Sequence, residues 1–531
     1  MFEIDYIPFS ISTYRSKMTL RLLFSLIFTL LLTTNLDARQ WTGQPEVIRG
    51  ESGQTTITGV VFEDTNKNSR FDAGESGVAG VHVSNGIDWV TTNESGEYEI
   101  GVREDMDLTI VQPSGWRVPT DERLVPQFFY IHKENGTGYD LRFGGLEPTG
   151  PAPEEVNFPL IRREADQASD FSCAVLGDPQ TYSNEQVSWL RDDVLADVRD
   201  SELDSSDCMI MLGDVVGDDL GLLDRLFSLS APLGIPQWAV IGNHDIDFDA
   251  RTNNDKADSW RRIVGPSYYA FEQGDVLFVM LDNVVYPCNE EDIELGHDYC
   301  GDADNPRYNG RITETQLEWL EGLIERTPED RLIVLSHHIP FVSFVDHGSQ
   351  THQTDEVTRI YEMMEGREAL SLSGHTHTLE NHSPGQIFDG WTENTGTGPL
   401  PFRHIIAGAA SGSWFRGDFS IDGIPMALQR MGAPKGFTRL VFNGSSYTET
   451  YKGARLDSER GQWVGLNTPA FRDWFNAITE WNSEDPETRH PVPPASINDL
   501  PDPNILTAED FGGTVWLTAN VWAGSAETTV E

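Results

Sequence analysis

Residues 369–377 read ALSLSGHTH, a mostly apolar run that ends in a glycine and two histidines. Such a run predicts a strand that is buried on both faces of a sheet, as in the centre of an α/β domain. His375 and His377 stand just beyond the predicted strand, and open α/β sheets build their sites at that carboxyl end. One pair of histidines is weak evidence by itself, so the rest of the chain decides what it means.

The same pattern recurs between residues 170 and 410. Short apolar runs are separated by helical patterns, the clearest at 313–326, where Thr313 and Gln316 have the spacing of a capping box. Strands that alternate with helices predict a layered α/β domain, which we place at residues 165–415. The runs end in side chains that can bind metal ions: Asp178 and Gln180, Asp214, Asn243 with His244 and Asp245, His337 with His338, and His375 with His377.

Carboxylate, amide and imidazole groups at five strand ends predict one shared site. Together they suit two divalent cations, which lie about 3.5–4 Å apart in two-metal sites and activate a water molecule. Glycine lets the backbone turn sharply and keeps the approach to such a site open. It directly precedes four of the candidate residues, Asp178, Asp214, Asn243 and His375.

The ordered motifs D-x-Q, GD, GNHD, SHH and GHTH, which contain these residues, resemble those of the calcineurin-like metallophosphoesterase family. The resemblance covers roughly residues 170–410, and the β-rich flanks look like those of the bacterial three-part type, with N- and C-terminal accessory domains. It implies a central domain with α/β/β/α layers. It also implies hydrolysis of phosphomonoesters, phosphodiesters or diphosphates by a hydroxide that bridges two metal ions.

Carried over residue by residue, the resemblance implies the metal ligands and their neighbours. His244 would protonate the leaving oxygen or stabilise the transition state, and Asp245 would orient His244. His338 is the alternative to His337 as a ligand, and we assign the role to His337. The ligands are then Asp178, Gln180 and His377 for the first ion, Asn243, His337 and His375 for the second, and Asp214 as the bridge.

One ligand departs from the common family pattern. Gln180 stands where many members have histidine, and its neutral oxygen favours Mn²⁺ or Fe²⁺, or Mg²⁺, over Zn²⁺. The D-x-Q variant also resembles the branch that acts on ADP-ribose and CDP-alcohols, which hints at diphosphate or diester substrates. Purple acid phosphatases are disfavoured, because they need a tyrosine three residues after the bridging aspartate, where this chain has Gly217.

Residues 50–146 consist of β-like runs between turn residues, and they predict an all-β sandwich. Within it, residues 64–75 (DTNKNSRFDAGE) place oxygen side chains at the ligand positions of a calcium-binding loop, although Ser69 replaces the usual glycine. The stretch also resembles calcium-binding repeats of bacterial surface adhesins; an acidic turn without an ion is the alternative. The candidate calcium ligands are Asp64, Asn66, Asn68, Asp72 and Glu75.

The two ends of the chain extend the domain plan. Residues 420–531 predict a β-rich C-terminal domain that starts with a hairpin at 437–451. Residues 1–38 predict a secretory signal peptide, because basic residues precede an apolar block that is too short to span a bilayer. We therefore expect an exported protein, periplasmic or extracellular, with no membrane span in its mature chain.

Export places the four cysteines in oxidising surroundings. Cys288 and Cys300 share a polar loop, and we expect them to form a disulfide. Cys173 and Cys208 lie within apolar strand runs, where we expect buried thiols, although neighbouring strands would allow them to bond.

The charge of the chain restricts its partners. A net charge of −48 over 531 residues disfavours nucleic acids and anionic membranes, so the expected partner is a small phosphorylated substrate. In the segment 409–419, Trp414 and Arg416 could hold such a molecule, since a ring beside a guanidinium suits a phosphate-bearing organic group; a packed interdomain loop is the alternative. The alternative function is a surface binding or adhesion protein that uses a phosphoesterase-like domain as a scaffold.

Overall fold

The computed structural model contains several mixed sheets in more than one domain. Among the residues that it describes, no helix is both long and apolar enough to cross a membrane. The predicted signal peptide lies outside the described residues. These are 41–50, 53–163, 170–200, 206–288, 290–294, 300, 306–496 and 499–530.

The N-terminal part is built from strands in two sheets. The strands are β1 Glu46–Ile48, β2 Thr56–Glu63, β3 His82–Ser84, β4 Trp89–Thr91, β5 Glu97–Gly101, β6 Asp105–Ile110, β7 Trp116–Arg117, β8 Phe129–Lys133 and β9 Glu155–Arg162. One sheet has the order β1-β9-β2-β5 with β7 also paired to β9, and the other has the order β4-β3-β6-β8. Since β9 starts within the stretch between the predicted domains and pairs with β2, the N-terminal sheets extend past the predicted boundary at residue 146.

The central part supplies thirteen of the described strands. They are β10 Asp170–Leu176, β11 Cys208–Leu212, β12 Gln237–Val240, β13 Tyr269–Gln273, β14 Val276–Met280, β15 Val284–Val285, β16 Asn309–Gly310, β17 Leu332–Ser336, β18 Ala369–Ser373, β19 Leu379–His382, β20 Arg403–Ala407, β21 Gly436–Asn443 and β22 Ser446–Gly453. One mixed sheet has the order β12-β11-β10-β21-β22, and a second has the order β13-β14-β17-β18-β20-β19. Strands β10, β11 and β12 are parallel in the first sheet, and β14, β17, β18 and β20 are parallel in the second.

Helices connect these strands. The α-helices are α1 Asn184–Leu190, α2 Ala196–Asp200, α3 Leu223–Ser230, α4 Asp258–Ile263, α5 Glu290–Glu294, α6 Glu314–Arg326, α7 Val357–Met363, α8 Asp389–Thr395 and α9 Pro469–Ser483. A π-helical turn joins α1 to α2. The helix predicted at 313–326 is confirmed as α6. The prediction of a capping box is wrong, because the Thr313 side chain makes no capping hydrogen bond. Gln316 instead pairs with the backbone of Asp282, at 2.9 Å through Oε1 and 2.7 Å through Nε2.

Apolar side chains explain how the sheets and helices pack. Alternate residues of each strand point to opposite faces. One apolar cluster contains side chains from both central sheets, such as Val175 and Val334. A second cluster joins the first sheet to α1 and α3, and a third joins Leu335 of β17 to α6 and α7. The two central sheets therefore pack against each other through the first cluster, and each packs on helices through another.

Both cysteine pairs are disulfides. The bond predicted between Cys288 and Cys300 is confirmed. The expectation of buried thiols at Cys173 and Cys208 is wrong, because β10 and β11 are adjacent and their register places these two residues directly opposite each other.

The end of the chain only partly follows the prediction. The hairpin at 437–451 is confirmed as β21 and β22, which pair from Gly436 with Gly453 to Asn443 with Ser446. However, β21 also pairs with β10, so the hairpin completes a central sheet and that sheet extends past residue 415. Beyond it lie α9 and a two-stranded sheet of β23 Gln462–Asn467 and β24 Trp516–Val521.

A buried ionic cluster joins the N-terminal sheets to α4. Lys133 Nζ lies 2.6 Å from Asp258 Oδ2 and 2.8 Å from Asp255 Oδ1. Arg261 contacts Asp258 at 3.0 Å and Asp107 at 2.7 Å. Because α4 follows the loop after β12, this cluster fixes the N-terminal domain to a segment close to the predicted metal site.

Candidate metal centre

The carboxyl ends of the parallel strands meet, and strained backbone carries the candidate ligands there. Asp178, Gln180, Asp214, His375 and His377 all have positive φ angles, between 34° and 72°. Residues other than glycine rarely adopt this conformation, and it concentrates at functional sites. The preceding glycines are needed for space: a Cβ on Gly374 would overlap the Asp178 carboxylate, and one on Gly242 would overlap Asp214.

One half of the site is centred on Asp214. The Nε2 atom of His338 lies 3.2 Å from Asp214 Oδ1, 3.0 Å from Asn243 Oδ1 and 3.1 Å from His375 Nδ1. Asp214, His338 and His375 each offer one ligand atom, and these atoms all lie within 4.8 Å of one another. A carboxylate, an amide oxygen and two imidazoles thus converge on one point, and ligands of these types suit a divalent cation.

His337 is not part of this cluster, which corrects the assignment made from the sequence. Its Nδ1 bonds to the Ile339 carbonyl at 2.8 Å and its Nε2 to Ser371 Oγ at 2.9 Å, so neither nitrogen is available to a metal ion. Its ring stacks on Phe341 at 3.8 Å. No glycine follows β17, so side chains continue to alternate: His337 points to the same face as Leu335, and His338 points to the site.

Backbone carbonyls determine which nitrogen each site histidine presents. Nδ1 of His338 donates to the Leu212 carbonyl at 2.8 Å, and Nδ1 of His377 donates to the Gly412 carbonyl at 2.6 Å. His375 is held the other way, with Nε2 bonded to the Thr351 carbonyl at 3.1 Å. Metal-binding histidines commonly donate their other N–H in this way. The remaining nitrogens face the cluster: Nε2 of His338, Nε2 of His377 and Nδ1 of His375.

The second half of the site contains Asp178, Gln180 and His377. His377 Nε2 lies 3.6 Å from Asp178 Oδ1, and Gln180 Nε2 lies 3.4 Å from Asp214 Oδ2. The Oε1 atom of Gln180 is buried without a hydrogen-bond partner. Burying an unpaired oxygen is costly, and a cation here would satisfy it. The residues present therefore fit a second metal ion.

Burial and neighbouring charges shift the pKa values of four residues at the site. Burial raises the pKa of Asp178 well above its usual range, and the charge of Asp214 raises it further. Burial lowers the pKa of His338, but the charge of Asp214 outweighs it and raises that pKa to about 9. Burial lowers the pKa of His377 to about 4 and that of His375 well below its usual value. His375 and His377 are therefore neutral, as metal ligands must be, whereas His338 would release its proton when it binds a metal ion.

Three family models match consecutive parts of the chain. The model described as calcineurin-like phosphoesterase matches residues 171–379. The models for the N terminal and the C terminal of calcineurin-like phosphoesterase match residues 65–146 and 404–531. The chain belongs to the calcineurin-like phosphoesterase family. It has the three-part arrangement of that family, as the sequence motifs predict, and the membership supports a metal-binding hydrolase.

Several solved structures are similar to this phosphoesterase. A dimetal phosphatase from Danio rerio is 15% identical, with a TM-score of 0.34, and the match covers 54% of this chain and 96% of that one. A purple acid phosphatase from yellow lupin (Lupinus luteus) is 12% identical, with a TM-score of 0.35 and coverage of 77% and 71%. PhoD is 12% identical, with a TM-score of 0.37 and coverage of 72% and 87%. No curated protein matches the chain.

His244 of the phosphoesterase is oriented by Asp218, a residue that the sequence interpretation missed. His244 Nδ1 lies 2.6 Å from Asp218 Oδ1. Asp245, which was predicted for this role, instead accepts hydrogen bonds from the backbone N–H groups of Val215, Val216 and Gly242 at 2.9–3.0 Å. Asp245 therefore links the loop after Asp214 to its own loop by hydrogen bonds. The assignment of Asp245 as the partner of His244 is wrong.

Asn283 is a second residue that no motif indicated. Its Oδ1 accepts hydrogen bonds from the backbone N–H groups of His338 and Ile339 at 3.2 and 3.1 Å. Its Nδ2 donates to the Ile339 carbonyl and to Thr354 Oγ1 at 2.5 and 2.9 Å. Asn283 thereby sets the position of His338. The one sequence signal that could have indicated this role is that Asn283 is a polar residue shortly after the apolar strand β14.

The predicted calcium loop forms a closed turn in the N-terminal domain. Asn66 and Asn68 donate to Asp72 Oδ2 at 2.9 and 2.7 Å, and Asp64 accepts from the backbone of Asn68 and Ser69. Ser69 has a φ angle of 59°, the conformation for which calcium loops use glycine at this position. Calcium binding by Asp64, Asn66, Asn68, Asp72 and Glu75 stays a prediction.

The two candidate substrate residues lie beside the metal centre. The Trp414 ring stacks on that of His377, with centroids 4.5 Å apart and planes 27° apart. The Arg416 guanidinium lies 5.5 Å from the centre of the Trp414 ring. The segment that carries them is therefore part of the wall of the site.

Proposed function

We propose that this phosphoesterase is exported and hydrolyses phosphomonoesters, phosphodiesters or diphosphates with two divalent cations. The observation that carries the proposal is the buried convergence of ligand atoms around Asp214, where each imidazole has its other nitrogen bound to a backbone carbonyl. The residues that would hold the two cations are Asp178, Gln180 and His377 on one side, Asn243, His338 and His375 on the other, and Asp214 between them.

The cations, when bound, would neutralise the phosphate oxygens and activate a water molecule as the nucleophile. The side chains of the protein orient and supply the proton. His244 Nε2 lies 3.9 Å from Asp214 Oδ2, and Asp218 holds the opposite nitrogen of the ring. Protonated His244 can therefore give its proton to the departing oxygen through Nε2. The buried ligands, with Asp178 and His377 almost fully enclosed, keep bulk water from competing with the substrate.

The neutral oxygen of Gln180 favours Mn²⁺ or Fe²⁺, or Mg²⁺, over Zn²⁺, because harder ligands select harder cations. In the N-terminal domain we propose a calcium ion in the loop 64–75, supported by its oxygen side chains and by the left-handed conformation of Ser69. The substrate would be a small phosphorylated molecule.

Export to the periplasm or the cell exterior is supported by the apolar block within residues 1–38. The two disulfides fit oxidising surroundings. We also interpret the central domain as α/β/β/α layers, since separate apolar clusters join each sheet to helices and the sheets to each other. The N-terminal sheets would then be an all-β sandwich, and the residues after the central sheet a β-rich domain.

The test is hydrolysis by the full mature chain after its metal has been removed and replaced. We expect p-nitrophenyl phosphate or bis-p-nitrophenyl phosphate to be hydrolysed once Mn²⁺ or Fe²⁺ is restored, and less well with Zn²⁺. Failure to hydrolyse either compound with any of Mn²⁺, Fe²⁺, Mg²⁺ and Zn²⁺ would contradict the proposal. That result would favour a surface binding protein with a phosphoesterase-like scaffold.

A further inference from the structure

Glu380 is a buried carboxylate three residues after the proposed ligand His377. It lies in β19 and is 7% exposed. Five donors surround its two oxygens at 2.6–3.4 Å, namely Ser343 Oγ, the backbone N–H groups of Phe344 and Val345, Thr378 Oγ1 and His382 Nε2. Burial raises the pKa of Glu380, but the hydrogen bonds from His382 and from the Phe344 N–H outweigh it and hold that pKa below its usual range. Glu380 is therefore an ionised carboxylate that accepts hydrogen bonds from the start of a neighbouring loop.

This loop, residues 343–353, is closed by Gln353 at its other end. Oε1 of Gln353 accepts a hydrogen bond from the Ser343 N–H at 3.4 Å, and Nε2 donates to the His347 carbonyl at 2.8 Å. Within the loop, the Asp346 N–H donates to Ser343 Oγ at 3.0 Å. Because Ser343 Oγ also donates to the carboxylate in β19, the loop and its attachment form one hydrogen-bonded unit.

The far part of the loop 343–353 orients a proposed metal ligand. The Thr351 carbonyl accepts the hydrogen bond from His375 Nε2 at 3.1 Å, and Nδ1 of His375 faces the cluster. The Ser349 N–H donates to the Asp346 carbonyl at 2.9 Å, which links this part of the loop to its start. The orientation of His375 thus depends on where the whole loop is held.

Arg430 attaches the same loop from the solvent side. It pairs with Asp346 at 2.5 Å and donates to the Thr376 carbonyl at 2.9 Å. The Arg430 side chain is 36% exposed, and ion pairs that are open to solvent contribute little. Loss of the Glu380 carboxylate would instead leave buried donors unpaired, which is costly. Glu380 is therefore the stronger of the two attachments.

We propose that Glu380 is a positioning residue for the metal centre. It holds the loop 343–353 where the Thr351 carbonyl orients His375, and it thereby sets the affinity for the cation that shares this ligand with Asn243 and His338. The inference rests on the proposed function, since it takes that cation to be present. Groups that orient metal-binding histidines contribute tenfold to a hundredfold to metal affinity. Because Glu380 acts through Thr351, we expect the lower end of this range.

Calorimetric titration of the metal-stripped full chain with Mn²⁺ is the test. The wild type should bind two ions, and the binding step that disappears in His338→Ala identifies the cation concerned. Glu380→Leu, which removes both carboxylate oxygens, should weaken that step about tenfold and leave the other step unchanged. The kcat for p-nitrophenyl phosphate at saturating Mn²⁺ should stay close to the wild-type value, because excess metal ion refills the weakened position.

Glu380→Gln should restore most of the lost affinity. The glutamine oxygen can accept from the Phe344 N–H, and its amide can donate to the hydroxyl groups of Ser343 and Thr378, which can act as acceptors. If a thermal melt shows that Glu380→Leu does not fold, Gln353→Leu takes its place. That change opens the same loop from its other end and should weaken the same binding step.

Asn157→Leu is the matched control in the N-terminal sheets. Asn157 is 2% exposed, and its Oδ1 accepts from the Val60 N–H at 2.8 Å. The control should lower the melting temperature but keep both Mn²⁺ affinities. Equal weakening of both ions in Glu380→Leu, no weakening of either, or the same selective loss in Asn157→Leu would overturn the role of Glu380.

A different result would separate this role from the proposed function. If the wild type binds two ions but hydrolyses neither p-nitrophenyl phosphate nor its bis-ester, the proposed function is contradicted. A selective tenfold loss of one ion in Glu380→Leu would still support the positioning role in that case.

Discussion

His244 and Asp218 hold each other at two points beside the metal centre. Nδ1 of His244 lies 2.6 Å from Oδ1 of Asp218, and the backbone N–H of Asp218 donates to the His244 carbonyl at 3.2 Å. The contact leaves Nε2 as the nitrogen that faces Asp214. The Asp218 charge therefore orients the ring and also raises its affinity for a proton.

Replacing Asp218 by asparagine should lower the pKa of His244. Burial lowers this pKa, but the charge of Asp214 and the hydrogen bond to Asp218 outweigh it and raise the pKa to about 9. Without the Asp218 charge, His244 loses its proton at a lower pH. If protonated His244 assists the leaving group, the alkaline limb of the pH–kcat profile for p-nitrophenyl phosphate should move to lower pH.

Asp219→Asn is the control for that profile. The Asp219 carboxylate accepts a hydrogen bond from the Gly221 N–H at 3.1 Å and does not contact His244. The control should keep the wild-type alkaline limb, whereas an unmoved limb in Asp218→Asn would contradict the role given to the pair.

The neighbours His337 and His338 should respond differently to alanine. His338→Ala should reduce activity by at least about a hundredfold, because it removes a proposed ligand, and even the groups that support ligands contribute tenfold to a hundredfold. His337→Ala should retain most of the metal-saturated activity but lower the free energy of unfolding by about 3 kcal/mol, since it removes a packed ring and two buried hydrogen bonds. Denaturant titration and metal-dependent rates measure the two effects. The reverse pattern would restore His337 as the ligand.

These two histidines show what the sequence could and could not predict. Apolar runs that end in polar residues located the strand ends, because burial on both faces leaves a readable pattern. The choice between His337 and His338 depended on which face of β17 meets the other sheet. The packing of the sheet determines this face. Leu335 contacts α6 and α7, so His337, which lies on the same face of β17, points away from the other sheet.

Asp218 and Asn283 illustrate a second limit. Both act through contacts with residues distant in sequence, Asp218 with His244 and Asn283 with His338. Neither residue belongs to one of the motifs identified in the sequence, and each is one polar residue among many in a loop. The disulfide between Cys173 and Cys208 likewise could not be assigned from the sequence, because it depends on the register of β10 and β11.

Calcium should raise the melting temperature of the full chain through the loop 64–75. A ligand that binds only the folded state stabilises it by about 2.7 kcal/mol at a hundred times its Kd. Asp64→Asn should abolish most of this increase, because Asp64 is the buried carboxylate of the loop. Glu94→Gln, an exposed change in the same domain, should keep it. Thermal melts with the metal centre already saturated by Mn²⁺ measure the effect, and an identical increase in all three proteins would exclude the loop as its source.

Lys133→Met should loosen the attachment of the N-terminal domain. Lys133 is 11% exposed and contacts Asp255 and Asp258, and removal of one partner from a buried ionic cluster costs about 3 kcal/mol or more. Arg162→Met is the control, because its pair with Glu63 is largely exposed and such pairs contribute about 1 kcal/mol or less.

The effect of Lys133→Met should depend on pH in a defined direction. Although burial opposes it, the hydrogen bond from Lys133 lowers the pKa of Asp255 below its ordinary value. This stabilisation is present above the unfolded pKa of about 3.9 and is lost as the pH falls through the lower folded value. The difference in unfolding free energy between wild type and Lys133→Met should therefore shrink below about pH 4. A difference that grows in acid would contradict the cluster.

The most direct test of the metal-dependent hydrolase is turnover of p-nitrophenyl phosphate by Asp214→Asn. Asp214 lies within ligand distance of His338 and His375, and its Oδ2 faces Gln180 and His244, so the centre depends on its charge. After metal removal and reloading with Mn²⁺, the account predicts two bound ions per wild-type chain and a loss of activity in Asp214→Asn of more than about a hundredfold. Wild-type turnover by metal-stripped Asp214→Asn would contradict the account.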